Sequence, residues 1–305
     1  MTGGELGRGF TIVLIGTLDT KWPEYAFVRD RLRRAGAEVR LVDVSLRGAG
    51  RPEADVPPEA VAGRAGTSLE TLRGLSRQDA TRVMIRGAAP LLGEWVGAGE
   101  VHGVLALGGA NGTTLACGVM RTLPVGFPKV MVSVMASARM SQYVGTSDIV
   151  MIPSIGDLSL NRVSRKVLSG AAGAVLGMAG LPAPPDDDPR PLLAMTTFGV
   201  TQPCVERAKA GLEAAGFEVM ELHASGPGGR ALEELARKGM FDGVIDLTTS
   251  ELADDLAGGR FTAGPGRLEG AGAAGSPQGV VPGALAVVPL RNRFPGRFLR
   301  HAFPD

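Results

Sequence analysis

Cysteine and histidine are scarce in this chain, and so are aromatic residues and excess charge. Two cysteines, Cys117 and Cys204, occur in 305 residues. That excludes a disulfide framework and a cysteine-ligated zinc ribbon, and it suits a reducing compartment. The three histidines, His102, His223 and His301, share no metal-ligand spacing. Aromatics are 5% of the residues and the formal net charge is +1, which argues against a nucleic-acid partner or an anionic membrane. No apolar run reaches the ~20 residues of a transmembrane helix. The opening MTGGELGRGF lacks the apolar core of a signal peptide. The expectation is a cytoplasmic protein with no nucleic-acid or membrane partner.

What is present is a repeated alternation of strand and helix patterns. TIVLIG, residues 11–16, reads as a buried strand, and a polar turn follows. EYAFVRDRLRRAG then carries a helical apolar face with Gly36 at its end, and AEVRLVDV, residues 37–44, alternates like a second strand. Strand, loop, helix and strand make the unit of a parallel sheet. Residues 191–224 lie over 11–44 without a gap, with Gly36 on Gly216 and Glu38 on Glu218. Residues 241–249 echo 101–109, with Gly103 on Gly243. Two echoes in the same order indicate duplicated α/β domains. LPAPPDDDPRP, residues 181–191, reads as the linker between them. The expected domains are 1–182 and 190–305, the second with no closing amphipathic helix after residue 289.

Three small-residue loops follow or flank buried strands in the first half, where ligands bind in open parallel sheets. GTLDTK offers Gly16 for close approach, the hydroxyls of Thr17 and Thr20, Asp19 for a metal and Lys21 for a phosphate. The alternative is a helix-capping turn. LGGANGTT places Gly108, Gly109, Asn111, Gly112, Thr113 and Thr114 at a strand-to-helix turn. Its reading is a phosphate turn or a tight packing turn, and it is neither a Walker A loop nor a full dinucleotide fingerprint. YVGTSDIVM supplies Gly145, Thr146, Ser147 and Asp148, either as a pocket loop with a metal-facing carboxylate or as a strand-joining turn.

In the second half, HASGPGGRALEEL and DLTTSEL are the candidates. His223 is the best single acid–base residue, and Ser225–Gly229 precede a helix as an anion or substrate turn. Glu251 is either an acid or base or a solvated residue in a first helical turn. Cys117 reads as a packed thiol, Cys204 as structural or, near a helix start, mildly activated.

GTLDTK, LGGANGTT, MASARMSQYVGTSDIVM, TTFGVTQPCVERA, HASGPGGRALEEL and DLTTSELADDL together resemble the Tm-one-like ATP-binding family. That family holds bacterial proteins of unknown function and a domain of a plant virus-resistance protein. The resemblance runs from about residue 10 to about residue 284. It implies two Rossmann-like three-layer α/β domains with mostly parallel sheets, the second shortened at its C-terminal end. It also implies an ATP pocket in the first domain. Residue by residue it carries Gly16, Thr17, Asp19, Lys21, Gly108, Gly109, Gly112, Thr113, Gly145, Thr146 and Asp148 into that pocket. Ala110 and Asn111 replace the Ser and Gly of the family's loop, and Ala286 stands where Asp is usual. The expected ligands are ATP, Mg²⁺ on Asp19 or Asp148, and an unidentified small molecule in an interdomain cleft. The expected assembly is a homodimer. Two functions stay open: ATP-dependent activation of a small molecule, or a non-catalytic ATP-dependent regulatory module.

Overall fold

A computed structural model describes residues 6–46, 50–137, 140–181 and 188–289. Residues 182–187 of the expected linker and the tail from residue 290, with His301, lie outside the described residues. The chain divides into two compact units, Met1–Pro185 and Asp186–Asp305.

The first unit runs β1 (Thr11–Gly16), α1 (Leu18–Arg34), β2 (Glu38–Asp43), α2 (Pro58–Arg64), α3 (Leu69–Arg73), α4 (Arg77–Gly97), β3 (Gly103–Gly108), α5 (Ala110–Met120), β4 (Lys129–Ser133), α6 (Ser141–Val144), β5 (Val150–Pro153) and α7 (Arg162–Gly180). All pairings are parallel, in the order β2-β1-β3-β4-β5. Both faces of the sheet are covered, so the strands are continuous apolar runs rather than alternating ones. Ile12, Leu14, Leu105, Leu107, Val130 and Val132 face a core closed by α1 and α7. Val13, Ile15, Val104, Ala106 and Met131 face a core closed by α2 to α5. The side-chain period of two in each strand produces the three layers.

The second unit runs β6 (Leu192–Thr197), α8 (Gln202–Ala214), β7 (Glu218–His223), α9 (Pro227–Arg237), β8 (Gly243–Thr248), α10 (Ser250–Ala257), α11 (Gly270–Ala274) and β9 (Gln278–Gly283). Its strands are again all parallel, in the order β7-β6-β8-β9. The first four strands of the first unit follow the same order. The likeness extends to single hydrogen bonds. Ala37 N–H bonds Leu32 and Phe217 N–H bonds Leu212, each at 3.1 Å. Each closes a helix end at a glycine of positive φ, Gly36 at 93° and Gly216 at 90°. The gap-free overlay needs one correction. Thr11 pairs with Glu38, but Leu192 pairs with Glu218. The second unit is therefore one residue shorter between its first two strands, and Thr17 corresponds to Phe198 rather than to Thr197.

In the first unit the strand order reverses between β1 and β3, and Tyr25 fastens those two strands there. Its hydroxyl lies 2.7 Å from the Ile15 carbonyl and 2.9 Å from the Leu107 carbonyl, and accepts from the Leu107 N–H at 2.8 Å. A Cβ on Gly16 would fall 1.8 Å from that hydroxyl. Gly16 is thus required by the packing of Tyr25. Tyr25→Phe removes the hydroxyl that accepts from the buried Leu107 N–H and donates to a buried carbonyl. The expected cost is about 1–3 kcal/mol in urea unfolding; unchanged stability would show that the strands are held otherwise.

Candidate functional site

A cavity of about 440 Å³ opens at the carboxyl ends of β1 and β3, within the usual range for small-molecule sites. Thr17, Asp19, Thr20 and Lys21 line it from the start of α1, and Gly108 to Gly112 from the start of α5. The third side is formed by Leu46, Leu72, Arg73, Leu75, Arg77 and Ala80.

The two helix starts differ in how their amides are satisfied. At α1 the work is done internally. Leu18 N–H donates to Asp43 Oδ1 at 3.2 Å and Asp19 N–H to Ser45 Oγ at 3.1 Å. Asp43 is fully buried and also accepts from Ser45 N–H, Ser45 Oγ and Arg51 N–H. At α5 no side chain among the described residues caps the helix. The first helical bond is Thr113 N–H to the Gly109 carbonyl at 2.8 Å, so the amides of Ala110, Asn111 and Gly112 come before the first helical donor. Those three residues line the cavity. Unpaired amides and the positive dipole end make such a start a seat for an anion. Gly108 has a packing reason, because a Cβ there would sit 2.9 Å from Gly112 Cα. Gly112 has none, since its Cβ would meet only the Leu107 carbonyl at 3.7 Å. The loop is therefore a packing turn at Gly108 and an open turn at Gly112.

The charge balance of the lining is positive, with Lys21, Arg73 and Arg77 against Asp19. The Lys21 ammonium donates to the Leu158 carbonyl. The backbone at Lys21 leaves helical geometry (φ −124°, ψ 23°), two residues ahead of Pro23 within the same helix. Arg73 and Arg77 are exposed and neither forms an ion pair among the described residues. The arginines and the leucines escaped notice in the sequence because 45–96 carries no loop motif. A pair of basic residues spaced four apart, flanking Gly74-Leu75-Ser76, was the available signal.

Several expected pocket residues lie elsewhere. Thr113 is fully buried, and its hydroxyl bonds the Gly109 carbonyl at 2.8 Å and Ser133 Oγ at 2.6 Å. Thr114 bonds back to the Ala110 carbonyl. Gly145, Thr146, Ser147 and Asp148 precede β5 rather than follow a strand that ends at the cavity. Because the strands are parallel, they lie at the opposite, amino edge of the sheet. Asp148 there binds the fully buried Lys129 ammonium at 2.8 Å and the Gly126 N–H at 2.8 Å. It serves as a structural counter-ion, which leaves Asp19 as the carboxylate on the cavity. Among the described residues no cluster of three or more His, Cys, Asp or Glu could hold a metal. Cys117 is buried, and burial pushes its thiol up to about 12, as expected of a packed thiol.

In the second unit the glycine-rich turn already holds its anion. Glu251 Oε1 accepts from Gly226 N–H at 2.6 Å and Gly229 N–H at 3.1 Å, at the start of α9. Its other oxygen meets Arg267 Nε at 2.8 Å. Arg267 is buried and also binds Glu233 at 3.0 Å and Asp246. Burial pushes the Glu251 carboxyl above its ordinary value against the pull of Arg267 and the two amides. Glu251 is thus neither solvated nor directed at an open site. His223 is exposed at the end of β7 and stacks on Phe198, with centroids 5.2 Å apart. Cys204 is exposed.

Two doubly wound units in tandem, of one strand order, define a tandem Rossmann-like α/β protein. The chain belongs to the uncharacterised protein family UPF0261, whose N-terminal domain model matches residues 10–184 and whose C-terminal domain model matches 190–299. A UPF0261 protein of Clostridium tetani is 43% identical over 91% of this chain and 69% of its own length. One of Mesorhizobium japonicum is 39% identical over 91% and 69%. The tomato ToMV susceptible protein tm-1(GCR26) is 34% identical over 85% of this chain and 37% of its own length, so the Tm-one-like resemblance holds. A solved thioesterase domain aligns over 73% of this chain and 85% of its own at 15% identity, with a TM-score of 0.24, too low to inform fold or function. Among the described residues no helix is long and apolar enough to cross a membrane.

The amino-edge pair gives a pH prediction. Burial raises the Asp148 carboxyl, but Lys129 and the Gly126 amide outweigh it and hold it below its ordinary value. Asp148→Asn removes the carboxylate beside the buried Lys129 ammonium, which keeps its bond to the Pro124 carbonyl. The expected loss at neutral pH is about 1–3 kcal/mol, less than for a fully buried pair because this carboxylate is partly exposed. A lowered folded-state pKa means the wild-type advantage is present above the unfolded value of about 3.9 and fades as pH falls through the folded one. Urea unfolding of both proteins across acid pH should show the gap closing; a gap that widens on acidification contradicts the assignment.

Proposed function

We propose that the first unit binds ATP at the α5 end of its cavity. The observation that carries this reading is an uncapped helix start opening on a cavity that has cations on one side and an apolar wall on the other. The phosphates would meet the amides of Ala110, Asn111 and Gly112, with Lys21, Arg73 and Arg77 neutralising their charge. Leu46, Leu72, Leu75 and Ala80 would take the base. Inorganic phosphate alone would leave that wall without a role. Mg²⁺ fits the site through Asp19, because this ion is commonly held by one or two carboxylates together with substrate phosphates. The resemblance to an ATP-binding family supports the same ligand.

The reading is a binding function. Thr17, Thr20 and Asn111 would orient the nucleotide, and Asn111 is itself held by the Thr81 hydroxyl at 3.2 Å. Calorimetric titration with ATP and Mg²⁺ tests it. Wild type should bind with micromolar affinity. Lys21→Ala, Arg77→Ala and Gly112→Val should each weaken binding by about tenfold or more, ~1.4 kcal/mol. Gly112→Val is informative because nothing in the fold crowds its Cβ. No binding by wild type, or equal binding by all three variants, would overturn the proposal.

A further inference from the structure

The internal repeat allows the carboxyl edge of the second sheet to be compared with the first, position by position. Thr17, the first residue after β1, becomes Phe198 after β6. Asp43, which ends β2, becomes His223, which ends β7. A buried carboxylate that caps a helix is thus replaced by an exposed imidazole stacked on a ring. Phe198-Gly-Val-Thr-Gln-Pro-Cys carries no charge where the first unit has Asp19 and Lys21. Asn111 becomes Glu251 at the start of α10, and that carboxylate is committed to α9 and Arg267. The second edge has therefore lost its phosphate chemistry and gained aromatic chemistry.

The rings form a cluster. Phe198 stacks on His223 at an interplanar angle of 24°, and Phe261 meets Phe198 edge-on at 6.1 Å. The turn after β7 packs closely on the segment that carries Phe261, since a Cβ on Gly226 would fall 2.9 Å from the Thr262 carbonyl. Two cations flank the rings. The Arg260 guanidinium lies 5.8 Å from the Phe261 centroid. Arg230 Nη1 donates to the Thr262 carbonyl at 2.9 Å. Both arginines are exposed, and neither forms an ion pair among the described residues. Of the rings, His223 is exposed and Phe198 and Phe261 are half-buried; a stacked pair open on one side accepts another flat π-system, and a guanidinium beside it selects an anion on its rim.

We propose that the carboxyl edge of the second unit binds a planar aromatic carboxylate, stacked on the Phe198–His223 pair and met at its charged end by Arg260 and Arg230. This site is independent of the nucleotide reading of the first unit. The probe is 2-naphthoate, followed by fluorescence anisotropy with the full chain, with cyclohexanecarboxylate and 2-naphthalenemethanol as competitors. Saturable binding is expected, weakened about fivefold by Phe198→Leu, which keeps an apolar side chain but removes the ring. Arg260→Gln should weaken it about threefold or more by removing the charged partner. Lys21→Ala should leave it unchanged, and neither competitor should displace the probe at matched concentration. Circular dichroism verifies that each variant is folded. Absence of saturable binding, equal affinity in Phe198→Leu and Arg260→Gln, loss of affinity in Lys21→Ala, or displacement by cyclohexanecarboxylate overturns the proposal.

Discussion

Amides at the start of a helix must find acceptors, and where this chain supplies them decides what each loop can do. At α1 the acceptors are Asp43 and Ser45, brought in from the end of β2. At α9 the acceptor is Glu251, brought in from α10. At α5 no side chain among the described residues arrives, and the turn faces open volume. Three loops of similar composition thus have three different fates. A glycine-rich strand-to-helix turn is a seat for an anion only when the fold has not already placed an anion there.

The same constraint accounts for the divergence of the two units. Their strand order and backbone bonds coincide, so the scaffold is held by features common to both, such as the positive-φ glycines that end the first helix of each. The side chains at the strand ends are free of that scaffold and differ throughout. The second unit fills its glycine turn from within and anchors the filling carboxylate on Arg267, which also gathers Glu233 and Asp246. Removing one member of such a buried group strands the others, so it holds loops in one arrangement.

The strands other than β5, the duplication and the first two cavity loops are legible in the sequence because they rest on local pattern: apolar runs, glycines at helix ends and small residues after strands. What lay beyond reach depends on distance in the chain. Asp43 reaches Leu18 across 25 residues and Arg267 reaches Glu233 across 34, and no spacing rule connects them. From sequence Asp148 reads as a residue of the cavity edge, because β5 is only four residues long and its pattern does not mark it as a parallel strand. Without that strand, a loop leading into the sheet reads as a loop leaving it. The one-residue offset between the repeats is likewise a matter of strand register, which composition does not encode.

The central claim is that the α5 amides, and not those of α1, receive the phosphates. Backbone amide NMR of the isotopically labelled chain, titrated with ATP and Mg²⁺, tests it most directly. The account predicts that the resonances of Ala110, Asn111 and Gly112 move downfield together and saturate with one affinity. Leu18 and Asp19, already bonded to Asp43 and Ser45, should shift little. Large shifts at Leu18 and Asp19 with α5 unmoved would contradict it.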